Sequence, residues 1–290
     1  MAPSREHRLD NPLNLPHLNI PLLLHQYGLK PKKRLGQNFL IDSKAIHQVL
    51  DSAEISSDDI VLEIGAGLGN LTRYLAAVAK RVIAVEVDSQ LIPLLRSVLS
   101  QYSNVDVIQG DILNINPTEL LKGRPYLVTA NIPYYITSAT IRHLLEAGTR
   151  PKRIVLTVQS EVAERLCAKE RKNLLALSVQ VFGSPKIITH IPAEAFYPTP
   201  NVDSSIVRID IYSEPSIPPS DLGTFFLLVR AGFSQKRKTL RNALATSLPS
   251  SSTQIERWLE MNEVDPHRRA ETLSIAEWKK LVFSYHLLAV

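Results

Sequence analysis

Asn131-Ile132-Pro133-Tyr134 directly follows the apolar run Tyr126-Leu127-Val128-Thr129-Ala130, whose length and composition read as a buried strand. An Asn, a Pro that stiffens the backbone and an aromatic ring at a strand end can grip a flat group that carries an amine. The Asn amide oxygen accepts from an exocyclic amine, and the Tyr ring stacks on the ring bearing that amine. Alone, the same four residues would equally make a plain turn. The residues upstream change that balance.

Glu63-Ile64-Gly65-Ala66-Gly67-Leu68-Gly69-Asn70-Leu71-Thr72 follows another strand-like run and opens a helix. Its Gly-x-Gly-x-Gly spacing departs from the dinucleotide fingerprint Gly-x-Gly-x-x-Gly, and the acid at Glu63 repels phosphate. Such a loop suits a cationic or zwitterionic ligand. Glu86, near the end of the next strand, is placed to hold two ribose hydroxyls. Asp111 ends the third strand and can accept from an adenine amino group; Asn131 ends the fourth. Ligands of open parallel sheets bind beyond the carboxyl ends of the strands. One acid there is usually a solvated loop residue, whereas four ordered polar residues on successive strand ends describe a site for an adenosine without phosphate. The cofactor implied is S-adenosylmethionine, and no metal is expected.

Strand-like runs at Ile60–Ile64, Arg81–Val87, Val105–Gln109, Tyr126–Ala130 and Arg153–Val158 alternate with helical patterns at Leu71–Ala79, Ser89–Ser100, Pro117–Leu121 and Ser138–Ala147. That alternation predicts an α/β fold with a mostly parallel sheet covered on both faces. Two further runs, Lys186–Ile191 and Ser205–Ile211, are joined by a Pro-rich loop and predict an antiparallel hairpin at one edge. After the linker Glu214-Pro215-Ser216-Ile217-Pro218-Pro219-Ser220, helical periodicity at Leu222–Phe233, Lys238–Thr246, Gln254–Met261 and Ile275–His286 predicts a small all-helical domain. The expected organisation is a flexible leader over residues 1–26, broken by Pro3, Pro12, Pro16 and Pro21, a catalytic domain over 27–214 and a helical domain over 221–290.

Cys167 is the only cysteine, which excludes an intramolecular disulfide framework and a multi-cysteine metal site and fits a reducing cytoplasm. No apolar run is long enough for a membrane span. With 33 Lys+Arg against 28 Asp+Glu the chain carries a net charge of +5, a mild pointer to a polyanionic partner. The distribution says more. Lys30, Lys32, Lys33 and Arg34 form one basic cluster, and Lys236, Arg237, Lys238 and Arg241 another; two clusters flanking a catalytic domain favour nucleic acid over a merely solvated face.

These residues together resemble the ribosomal RNA adenine dimethyltransferases, and within them the branch acting on the bacterial small subunit. The motifs are Arg34-Leu35-Gly36-Gln37-Asn38-Phe39-Leu40, Glu63 to Thr72, Asn131 to Tyr134, Phe196-Tyr197-Pro198-Thr199-Pro200-Asn201-Val202-Asp203-Ser204 and Phe233-Ser234-Gln235-Lys236-Arg237-Lys238-Thr239-Leu240-Arg241-Asn242. The resemblance covers about Tyr27 to Leu244. It implies a seven-stranded Rossmann-like class I methyltransferase domain followed by a small helical domain. It also implies that Asn38 and Leu40 contact the cofactor, that Gly65 lies against its methionine part, that Glu86 holds the ribose and Asp111 reads the adenine, and that Asn131 lies between cofactor and target base.

The activity implied is methylation of the exocyclic N6 of two adjacent adenosines in the 3′-terminal hairpin of 16S rRNA during small-subunit biogenesis. The partner is the immature small subunit, and the enzyme is expected to be a cytoplasmic monomer. The target base must leave its stack; Tyr134 and Phe196 are the expected faces of an aromatic clamp, with Lys236, Arg237, Lys238 and Arg241 on RNA phosphates. Where the family usually has Tyr-Gly, this chain has Asn173-Leu174, for which a changed helix start is expected, and Tyr135 stands where the family often has Asn. The rival readings are a large-subunit rRNA dimethyltransferase, a DNA adenine methyltransferase and a non-catalytic ribosome assembly factor.

Overall fold

A computed structural model describes residues 15–133 and 136–288. Strands β1 (Phe39–Leu40), β2 (Ile60–Ile64), β3 (Arg81–Glu86), β4 (Val105–Gln109), β5 (Leu127–Asn131), β6 (Arg153–Gln159), β7 (Gly183–Ile191), β8 (Phe196–Tyr197) and β9 (Ser204–Ile211) form two sheets. The larger has seven strands in the order β4-β3-β2-β5-β6-β9-β7. Its β2/β3, β2/β5, β3/β4 and β5/β6 ladders are parallel. Every residue of β2 is buried, as a central parallel strand covered on both faces requires. The last two predicted strands are neighbours at the sheet edge, and β7 begins three residues earlier than its apolar run suggests.

Helices predicted between the strands occur at Asn70–Val78, Ile92–Leu99, Pro117–Leu120 and Thr137–Glu146. Sequence periodicity did not mark Ser43–Ala53, whose first turn is capped by the Asp42 carboxylate accepting from Ala45 N at 2.6 Å. Nor did it mark Ser160–Cys167. Asn173 does start a helix: its side chain accepts from Ala176 N at 2.9 Å at the head of Leu174–Gln180.

The expected flexible leader does not hold for its second half. Ile20–Gln26 is a helix whose Ile20 and Leu24 are buried against Phe39, Leu68, Leu91 and Leu94. Pro21 falls in the first turn, where its missing N–H is no loss, and Asn19 caps that turn by accepting from Leu22 N at 3.0 Å. Residues 1–14 lie outside the described residues.

The chain divides into two compact units. One runs to Ser160 and resumes over Lys186–Ile209; the other takes Glu161–Pro185 and the chain from Asp210 onward. In the second, Leu222–Phe233, Leu240–Ser247, Ser252–Met261 and Ile275–Ser284 are helical. Two of these helices start with reciprocal capping boxes, Ser251 with Gln254 and Ser274 with Glu277. Trp278 is fully buried, and a Cβ at Gly232 would stand 2.8 Å from its ring, so that glycine is what lets the first and last helices close up. No helix among the described residues is long and apolar enough to cross a membrane.

Candidate active site

The sheet order brings the carboxyl ends of β4, β3, β2 and β5 side by side, and with them Asp111, Glu86, Gly65 and Asn131. Between β2 and β5 the winding reverses, the place where open α/β sheets form a ligand crevice. Gly65 has φ of 77°, and a Cβ there would lie 3.1 Å from the Asn131 carbonyl oxygen. The loop after β2 can therefore touch the end of β5 only because residue 65 has no side chain. At Gly67 a Cβ would meet the Phe39 ring at 2.9 Å. The glycines leave a cradle between the sheet and the N-terminal segment.

Two carboxyls sit beneath this cradle. Glu86 Oε2 accepts from Gly67 N and Oε1 from Asp88 N, each at 2.8 Å. Burial pushes its pKa up, while those amides hold it down. Each oxygen retains further acceptor capacity, which a ribose diol can use. Glu63 is only 2% exposed, and its Oε2 has no hydrogen-bond partner among the described residues. Burial pushes its pKa up to about 8, the Glu86 charge adding to the rise and the Thr72 hydroxyl opposing it. A desolvated acid with one oxygen unpartnered, beside a glycine cradle, fits a ligand with a cationic end and no phosphate. Asp111 caps the turn Ile112–Asn114, its Oδ1 accepting from Leu113 N at 3.0 Å.

The N-terminal segment closes the crevice from the other side. β1 pairs antiparallel with β8, Phe39 with Tyr197 and Leu40 with Phe196. Leu40 O accepts from Asn70 Nδ2 at 2.8 Å, tying β1 to the helix that follows the glycine loop. Asn131 Nδ2 donates to Asn38 O at 3.0 Å. Because its amide nitrogen is engaged there, the Asn131 Oδ1 is the group left to receive an amine. Gly36, at φ of 58°, rests on the turn after β5, where its Cβ would come within 3.0 Å of Pro133 Cβ. Glu63, Gly65, Leu40 and Asn131 share a cavity of about 30 Å³. A larger depression of about 530 Å³, between Arg81, Arg96 and Leu120 at the β4 edge, contains none of the predicted site residues. Size does not pick out this site; chemistry does.

Three sequence expectations change. Phe196 is 2% exposed and packs in the core with Leu40, Ile46, Val49 and Ile206, so it has almost no surface to offer a base, and an aromatic residue type alone could not reveal this. Phe196→Ala is expected to cost about 3–5 kcal/mol of stability through the cavity it leaves, read as a lowered denaturation midpoint. Lys32, assigned to a basic cluster, is spent on an ion pair with Asp88 at 2.6 Å. Arg241 is paired with Glu256 at 2.9 Å, while Lys236, Arg237 and Lys238 are exposed on the turn before helix Leu240–Ser247. Tyr134 lies outside the described residues. Asp88 organises the site without having stood out in the sequence, and Gln37 and Asn70 stood out only as members of motifs, because the groups all three hold are distant in the chain.

The pattern of the ribosomal RNA adenine dimethylase family matches residues 28–282. A ribosomal RNA small subunit methyltransferase A of Dehalococcoides mccartyi is 45% identical over 265 residues, 91% of either chain. Its namesake from Geobacillus kaustophilus is 42% identical over 270 residues, 89% of this chain and 92% of the other. Among solved structures, the 23S rRNA methyltransferase ErmE superposes with a TM-score of 0.69 at 28% identity, covering 87% of this chain and all (100%) of that one. A dimethyladenosine transferase from Plasmodium falciparum gives the same TM-score of 0.69 and 28% identity, covering 87% and 98%. A crevice at the carboxyl ends of parallel strands, an Asn amide held at its mouth and a match over nearly the whole sequence converge: the chain is a methyltransferase and belongs to the ribosomal RNA adenine dimethylase family.

Proposed function

We propose that this enzyme transfers methyl groups from S-adenosylmethionine to N6 of two adjacent adenosines in the 3′-terminal hairpin of 16S rRNA, giving N6,N6-dimethyladenosines during small-subunit biogenesis. It acts as a cytoplasmic monomer, with residues 27–214 as the catalytic domain and 221–290 as the RNA-binding domain. The observation that carries the reading is the Asn131–Asn38 hydrogen bond of 3.0 Å, which fixes the amide with its acceptor oxygen available.

When bound, S-adenosylmethionine supplies an electrophilic methyl group. Glu86 holds the ribose, Asp111 the adenine, Gly65 lies against the methionine part and Asn38 and Leu40 close over it. The adenine amine is a poor nucleophile because its lone pair is delocalised into the ring. Asn131 Oδ1 and a backbone carbonyl after it accept the two amine protons, so the nitrogen can pyramidalise. Pro133 O already accepts from Ile136 N at 3.1 Å, which favours Ile132 O as the second acceptor. No strong base is required, since the alkylated nitrogen is cationic and both of its protons are acidic, so that one passes to water. Holding the reactants in line can supply about 7–11 kcal/mol of the barrier in well-oriented cases. Tyr134 stacks on the flipped base, a contact worth about 1–3 kcal/mol.

Identities of 42–45% to small-subunit enzymes against 28% to ErmE support the small subunit over the large. The intact set of Glu86, Asp111 and Asn131 argues against a purely structural assembly factor. Labelled methyl transfer to purified, unmodified small subunits, large subunits and DNA tests the choice: label on small subunits alone supports it, and label on large subunits or DNA alone refutes it.

In the RNA-binding unit, reversing Lys236, Arg237 and Lys238 to Glu is expected to weaken binding and flatten its logarithmic salt dependence by about 2–3 in slope, at roughly 0.7–0.9 per phosphate lost. Arg241→Glu is expected to act mainly by breaking the Glu256 pair. Filter binding across a salt series, beside thermal melts, separates the two.

A further inference from the structure

Asp88 does not face the adenosine crevice as a ligand-binding acid would; its carboxylate is consumed by the N-terminal segment. It is 4% exposed. Oδ1 accepts from Lys32 Nζ at 2.6 Å and from Gln90 N at 3.0 Å, and Oδ2 accepts from Gln37 Nε2 at 2.8 Å. Gln37 Oε1 in turn accepts from Lys32 N at 2.8 Å. Residues 32–37 thus form an arch whose two feet stand on one carboxylate. The crown of the arch, Gly36, rests on Pro133, and the residue beyond its second foot, Asn38, receives the Asn131 amide. At its own backbone, Asp88 N donates to Glu86 Oε1 at 2.8 Å.

A buried carboxylate with a two-point grip, charge-assisted at one point, is a rigid anchor. Within the arch, Gln37 N also donates to Lys32 O at 3.4 Å; Asp88 grips both feet from outside and so ties the arch to the loop after β3. The Asn38 carbonyl determines which way the Asn131 amide faces, so displacement of the arch by a fraction of an ångström misaims Oδ1. Small misplacements at an in-line reaction are costly in rate.

We propose that Asp88 is a positioning residue that, through Lys32 and Gln37, holds the arch over the turn after β5 and thereby sets the orientation of Asn131, coupling it to the ribose-binding acid Glu86. The inference rests on the methyltransferase reading above and adds to it a residue that touches neither cofactor nor base. It also assigns a distinct role to Lys32, away from RNA.

The test is a double-mutant cycle in the full-length protein with Asp88→Asn, Lys32→Met and the pair. It reads single-turnover methyl transfer to unmodified small subunits and, by calorimetry, the Kd for S-adenosylhomocysteine. Each single variant should lose at least tenfold in transfer rate with less than fivefold change in Kd, because Glu86 keeps both backbone amides. The pair should be no slower than the slower single variant, since both break the same anchor. Lys32→Arg, which preserves the ion pair, should restore most of the rate. If Asp88→Asn proves too unstable, Gln37→Met removes one foot of the arch alone and should show the same rate-without-affinity loss. Unchanged rates, rate losses that multiply in the pair, or losses tracking the melting temperature alone would overturn the inference. Absence of transfer by the wild-type enzyme to any RNA would instead sink the reading it rests on.

Discussion

Asn131→Ala is expected to lower methyl transfer by about 10²–10³-fold, the usual cost of deleting one aimed hydrogen-bonding group at a reacting centre, while cofactor affinity stays within a few-fold of wild type. On the proposed reading the side chain acts on the base and not on the cofactor, so the loss belongs to the chemical step. Asn131→Asp makes a sharper test. It keeps an acceptor for the amine but places a carboxylate oxygen against the Asn38 carbonyl, where the amide now donates at 3.0 Å. Two acceptors repel, so the side chain must turn away, and activity should fall well below wild type despite the near-identical shape. Single-turnover rates measured beside S-adenosylhomocysteine titrations check both variants. Equal loss of rate and affinity would show that Asn131 is a binding residue instead.

Glu63→Gln is expected to stabilise the cofactor-free protein and weaken cofactor binding. With its pKa raised to about 8 from 4.5, Glu63 keeps a proton in the folded state that the unfolded chain gives up. Between those values the folded state binds the extra proton, so stability is lost as pH rises, by on the order of 5 kcal/mol across the full window. The melting temperature of Glu63→Gln should match wild type near pH 5 and exceed it increasingly toward pH 8. A cationic ligand end beside Glu63 would pull the pKa down and release that proton. Wild-type binding heats near pH 7 should then depend on the buffer's ionisation enthalpy, and those of Glu63→Gln should not. Buffer-independent heats for wild type would contradict this role.

How far the sequence announced these features depends on the range of the interaction. The strand ends carrying Gly65, Glu86, Asp111 and Asn131 were legible because each follows a short buried run, and parallel topology alone lines such ends up. The changed helix start at Asn173 was legible as a departure from the family pattern, whereas its capping bond to Ala176 N is seen only in the structure. The helix Ile20–Gln26 was obscured by neighbouring prolines, although Pro21 stands where a helix tolerates one. Phe196 carries the right residue type for a clamp, but its burial is settled by pairing with Leu40 and by core packing from several segments. The Lys32 charge seemed available because its partner Asp88 lies 56 residues away in the chain. Contacts of that range leave no local trace in one sequence.

The most direct test of the central claim is mass analysis of adenosines from small subunits lacking the modification, incubated with the purified enzyme and S-adenosylmethionine. The account predicts N6,N6-dimethyladenosine at two adjacent positions in the 3′-terminal hairpin of 16S rRNA, and a loss of about 10²–10³-fold in its rate of formation with Asn131→Ala. Modification elsewhere, or undiminished modification by the variant, would contradict it.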